Sequence, residues 1–128
     1  MKHLKTYKIF ESTFNDSQIK EYLNDVFLEL TDDGYEVDIE GMFIRDEVRE
    51  EQTGYKINIK GGKSKISDII LPLDHVIGYL SDTLGIYWID IFRGLNFIRM
   101  ENIDELENYK KYNSNNFEEI VINFRKKS

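Results

Sequence analysis

A chain of 128 residues with a formal net charge of −7 and no cysteine can form no disulfide, thiolate nucleophile or cysteine-ligated metal. It also lacks the surplus of Lys and Arg on which a grip on nucleic-acid phosphates usually rests. Its 41% apolar residues, with eight Phe, eight Tyr and one Trp, exclude a disordered acidic chain, and a domain of this length buries roughly two-thirds of its unfolded surface. No run of about 18 apolar residues is present to span a bilayer, and the basic start Met1–Phe10 has no apolar stretch of a secretory signal, so the expectation is a soluble protein.

Residues 1–12 are expected to form an N-terminal arm or edge strand, and residues 13–128 a single α+β domain. Lys5-Thr6-Tyr7-Lys8-Ile9-Phe10 suits either an alternating strand or an arm. Asn15, Asp16 and Ser17 offer N-cap side chains, with Gln18 in the capping-box relation to Asn15. Ile19, Tyr22, Leu23, Val26, Phe27 and Leu30 then make one continuous stripe, which predicts a single helix facing a sheet. Gly34 ends it cheaply in the left-handed C′ conformation, and Tyr35, Val37 and Ile39 alternate with Glu36, Asp38 and Glu40 as a half-buried strand. A bend is expected at Gly41, a second strand from Met42-Phe43-Ile44, and a solvated turn over Asp46–Glu51.

Tyr55, Ile57 and Ile59 alternate with Lys56, Asn58 and Lys60 as another strand, which Gly61-Gly62 terminates before a flexible connection to Ser67. Pro72, the only proline, is placed in the first turn of a second helix, whose apolar side is Leu73, Val76, Ile77, Leu80 and Leu84 and whose C′ residue is Gly85. The segment Ile86–Ile91 carries large residues at both parities, as a central strand does. Arg93-Gly94-Leu95-Asn96 turns it into Phe97–Met100 as a hairpin. Asn102 caps a short helix through Tyr109, Lys110–Asn116 reads as a loop, and Phe117–Phe124 is a last strand with Ile120, Ile122 and Phe124 inward.

The order helix, Gly34, alternating strand, Gly41 is echoed by helix, Gly85, alternating strand, Gly94. The predicted fold is therefore α+β: a mainly antiparallel sheet of about five to six strands with two principal helices packed on one face. It is ferredoxin-like if Thr6–Phe10 is a strand, or otherwise a tandem helix-strand-strand pseudo-repeat.

Met1-Lys2, then Lys5-Thr6-Tyr7 with Phe10 and Glu11, resembles the capsid-targeting leader of internal head proteins of tailed bacteriophages, which reads Met-Lys-Thr-Tyr-x-x-Phe-x-x-Glu and is cut after the glutamate. Lys2-His3-Leu4 intervene here before the triplet, and Thr13 stands at the glutamate position. The likeness covers about a tenth of the chain. It implies a virion-associated accessory protein whose arm directs packaging, with the host cytoplasm as the other location.

Motifs of catalysis are sparse. Gly62-Lys63-Ser64 matches the end of a phosphate-binding loop, but Ile57 occupies the position of its first glycine, and no helix N-terminus is expected behind it. His3 and His75 lack spaced ligand partners, and Ser17, Ser67, Ser81 and Ser114 suit caps and turns, so no metal, cofactor or catalytic residue is expected. Asp38 with Glu40, and Asp32 with Asp33, read as solvated carboxylates, whereas Asp90 among Trp88, Ile89, Ile91 and Phe92 calls for a buried pairing with Arg93, Arg99 or a lysine.

Negative charge concentrates in the first half, and Asp46, Glu47, Glu50 and Glu51 are the densest run. Those four are the candidate protein-binding residues, suited to a partner with a basic surface, while direct contact with nucleic acid is disfavoured. Three functions follow: a non-enzymatic interaction module of phage origin, an acidic inhibitor occupying the groove of a nucleic-acid-binding defence enzyme, and a small enzyme with a pocket near Asp90 or His75.

Overall fold

The computed structural model describes residues 16–126 apart from 46, 48 and 49, so Thr6–Phe10 and Asn15 lie outside the described residues. Its elements are α1 (Asp16–Val26), α2 (Leu28–Asp32), β1 (Tyr35–Arg45), β2 (Glu50–Gly61), α3 (Ile66–Leu84), β3 (Ile86–Arg93), β4 (Asn96–Met100), α4 (Ile103–Tyr112) and β5 (Glu119–Arg125). The five strands form one sheet in the order β1-β2-β5-β3-β4, with every neighbouring pair antiparallel. The fold is α+β, with two helix-hairpin units and β5 between them among the described elements; the expected echo of Gly41 by Gly94 does not hold, because Gly94 turns a hairpin and Gly41 lies within β1.

Strand alternation decides which face the helices cover. Val37, Ile59, Ile120 and Ile91 stand in one row across the sheet, and Ile39, Ile57, Ile122 and Ile89 in the next. Ile19, Leu23 and Phe27 of α1, Leu30 of α2, Leu73, Val76 and Leu80 of α3 and Leu106 of α4 join the same buried cluster, so all four helices lie on that face. A fully buried aliphatic side chain of this kind contributes about 1.5–3 kcal/mol. Glu36, Asp38, Lys56, Asn58, Trp88 and Asp90 have the opposite parity.

Five expectations need correction. The first helix is two: Phe27 has φ −89° and ψ 3°, dividing α1 from α2, yet Phe27 and Leu30 stay buried and the apolar stripe continues across the break. Gly41 makes no bend, because β1 runs on to Arg45. The irregularity is a bulge, Met42 facing Gly54 and Phe43 facing Gln52, that leaves Thr53 as the extra residue of β2. Glu50 and Glu51 belong to β2 rather than to a turn, and Lys110–Tyr112 extend α4. Lastly, Pro72 sits inside α3 rather than in its first turn, so His75 also lies deeper in the helix.

The reason for the last difference is a distant cap. Asn115 accepts from the Ile66 N–H through its carbonyl at 2.7 Å and from the Ser67 N–H through Oδ1 at 2.9 Å, which starts the helix well before the proline. Ile66 and Ile69, both fully buried, hold those early turns down although Pro72 denies the Asp68 carbonyl its helical donor. The expected hairpin between β3 and β4, the Asn102 cap of α4 (Oδ1 accepting from Glu105 N–H at 3.0 Å) and the inward Ile120, Ile122 and Phe124 are all present. β3 is an interior strand, but the central one is β5.

At Gly54 the β5 backbone comes so close that a Cβ would stand 1.8 Å from the Phe124 carbonyl oxygen. Gly54→Ala must push β2 off β5. We expect a loss at the upper end of the ordinary range for single substitutions, about 3 kcal/mol, measured by urea denaturation.

Candidate functional site

Two phenols fasten the first helices to α3. Tyr22 donates to the His75 carbonyl at 3.1 Å and stacks on Tyr79 with ring centroids 3.9 Å apart. Tyr35, buried where Gly34 hands α2 on to β1, donates to Asp68 Oδ2 at 2.8 Å and accepts from the Lys65 N–H at 3.1 Å. Between these clamps lies a cleft of about 550 Å³.

Asp25, Glu29 and Asp33, spaced by four, put their carboxylates on the α1–α2 wall, and Asp68 and His75 come from α3. Val26, Leu30, Leu71 and Pro72 supply apolar lining, Leu71 being 64% exposed. Among the described residues no Lys or Arg stands within ion-pair distance of Asp25, Glu29, Asp33 or Asp68. Among the described residues the cleft is therefore an acidic groove with an apolar lining and no Lys or Arg paired to its carboxylates. No group of His, Asp and Glu among the described residues is arranged to hold a metal ion.

The residues singled out by linear charge density are elsewhere. Asp46 lies outside the described residues, Glu47 is exposed, and Glu50 and Glu51 open β2 opposite Arg45 and Ile44. Glu51 pairs with Lys126 Nζ at 3.3 Å, which ties the β2 end to the end of β5 and neutralises part of that run. Asp38 and Glu40 stand opposite Asn58 and Lys56 on the sheet face away from the helices. The acidic wall of the cleft carries a sequence signal, the four-residue spacing of Asp25, Glu29 and Asp33. The opposing Asp68 has none, because only packing brings it there.

Two other candidates resolve structurally. A helix N-terminus does follow Gly62-Lys63-Ser64, contrary to expectation, but Asn115 occupies its first N–H groups and Ser64 Oγ turns back to the Gly61 carbonyl at 3.1 Å, so no phosphate cradle forms. Asp90 is 6% exposed and takes both hydrogen bonds of a fork from Arg99, 2.8 Å from Nε and 3.1 Å from an Nη. That carboxylate holds the guanidinium further above its ordinary value. The Arg99 and Arg125 guanidinia each lie 5.4 Å from the centroid of the half-buried Trp88 ring.

Comparison with family models, curated proteins and solved structures finds no match to this chain, so the site is read from its own geometry.

Two measurements probe these contacts. Burial pushes the Tyr35 phenol above its ordinary 10.0; the Lys65 N–H pulls it partly back and Asp68 raises it again. The neutral phenol is thus favoured by folding, and its contribution is whole below pH 10 and lost as pH climbs past it. Tyr35→Phe should cost about 1–2 kcal/mol at neutral pH and flatten the fall in stability above pH 10, read from urea midpoints against pH. Arg99→Met strands a buried carboxylate, so its melting temperature should fall below that of the double variant Asp90→Leu with Arg99→Met; equal temperatures would show that the pair carries no such cost.

Proposed function

We propose that this chain is a small non-enzymatic protein-interaction module, and that the acidic cleft between α1–α2 and α3 takes a Lys- or Arg-bearing segment of another protein. One observation carries the reading: four carboxylates converge on a 550 Å³ cleft that has an apolar lining and no cation of its own among the described residues. Carboxylates would take the ammonium or guanidinium head, and Val26, Leu30 and Leu71 the methylene stem. The carboxylates are exposed, and a pair formed at such a site is worth no more than about 1 kcal/mol. Recognition therefore rests on several pairs at once and is weak, fast and salt-sensitive. The likeness of Met1–Glu11 to a capsid-targeting leader supports placing the module among bacteriophage accessory proteins, in the virion or the host cytoplasm.

The test is calorimetric titration with a tri-arginine peptide. Binding at low salt should weaken about tenfold as ionic strength rises from roughly 50 to 500 mM, and Glu29→Gln with Asp33→Asn should weaken it by a further factor of about five. Replacing Glu47, Glu50 and Glu51 by Ser should leave it unchanged. The reverse pattern, loss on changing the β2 end and indifference to the cleft, would transfer the function to the run Asp46–Glu51 and to mimicry of nucleic-acid phosphates. Absence of binding at low salt would remove the reading.

A further inference from the structure

The two edges of the sheet are protected unequally. At the β1 edge, Glu36, Asp38 and Glu40 project from one face, a standard defence against pairing with another chain. The β4 edge has no such row of charges. Four of its five residues are exposed, Phe97 by 54% and Ile98 by 45%, and Leu95 in the adjoining turn is fully exposed. Its one charge, Arg99, is already engaged by Asp90 at 2.8 and 3.1 Å and guards nothing.

The hairpin geometry says which backbone groups that edge offers. Gly94 has φ 62° at the first position of a two-residue turn, the II′ form, and the flanking residues Arg93 and Asn96 then make a hydrogen-bonded pair. By alternation Ile98 and Met100 also bond to β3, which leaves the N–H and C=O of Phe97 and Arg99 directed outward.

We propose that the β4 edge is a self-association surface, on which a second copy of this chain adds its own β4 antiparallel about a two-fold axis at Ile98, continuing one sheet through both copies. In that register Phe97 of each copy meets Arg99 of the other and exchanges both backbone bonds, using all the outward groups. Ile98 meets Ile98 at the closely spaced, non-hydrogen-bonded position. No like charges stand opposite one another. Arg99, which already lies 5.9 Å from the Phe97 ring of its own chain, also reaches the Phe97 of the second copy. On the helix side a cleft of about 320 Å³ borders the edge, lined among others by Ile98, Met100, Tyr109 and Tyr112, and the second copy's Ile98 covers its mouth. A two-fold contact of this kind closes at two copies. It uses none of the residues of the acidic cleft, so the two readings fail or stand separately.

Sedimentation equilibrium of the full chain up to about 500 µM tests it. The expected result is a monomer–dimer equilibrium that Ile98→Lys, which sets two ammonium groups face to face, weakens at least about tenfold. Phe97→Pro removes an outward N–H that the β3–β4 ladder does not use, together with the ring that packs on Phe92 and Arg99, and should weaken it similarly while circular dichroism stays native. If Ile98→Lys does not fold, the Phe97→Pro result decides. A monomer at every concentration, species larger than two copies, or a dimer indifferent to both substitutions would overturn the proposal; the monomer would leave the edge to an extended segment of a different protein.

Discussion

Ile120 and Ile122 hold this molecule together. The hairpin β1–β2 follows α1 and α2, the hairpin β3–β4 follows α3, and neither hairpin pairs with the other. Only β5, the last strand in the described chain, bonds to both, pairing Ile120 with Ile59 on one side and Ile91 on the other. The sheet and the core under the helices are therefore continuous only once the C-terminal strand has been inserted. The close approach at Gly54 is the mark of that insertion, since a side chain there would collide with the β5 backbone.

Packing all four helices on one face leaves the other face to polar pairs. There the sheet manages charge locally: Lys60 reaches Glu36 at 3.7 Å, Asn58 donates to Glu119 at 2.8 Å, and Arg99 forks onto Asp90. The first of these is exposed and worth little, whereas the last removes the cost of a carboxylate placed amid large side chains. Charge that is consumed in this way is no longer available for recognition. What stands out by contrast is the cleft on the helix side, whose carboxylates meet no cation among the described residues, and the β4 edge, whose single cation is already spent.

These contrasts explain why linear charge density was a poor guide to the site. Glu50 and Glu51 look like the most acidic point of the chain, yet they begin a strand, and Glu51 is held by Lys126 from the other end of the sequence. Asp25, Glu29 and Asp33 are unremarkable in composition, but a four-residue period gives them one wall, and the clamps Tyr22–His75 and Tyr35–Asp68 hold the opposite wall at the distance that makes a groove.

The chain by itself determined the local elements: the stripe from Ile19 to Leu30, the strand alternation of Tyr35–Ile39 and Tyr55–Ile59, the Gly94 hairpin and the Asn102 cap. Periodicity and turn chemistry are encoded within a few residues of where they act, so they could be read without coordinates. Tertiary structure alone decided that α3 begins before Pro72, that Gly41 lies within an unbroken strand, that β5 rather than β3 is central, and that Asp68 faces Asp33. Each of these depends on a partner far away in sequence, such as Asn115 at the start of α3, Gln52 and Thr53 at the bulge, or Ile122 between the hairpins. Contacts of that range carry no periodic signature in the residues that make them.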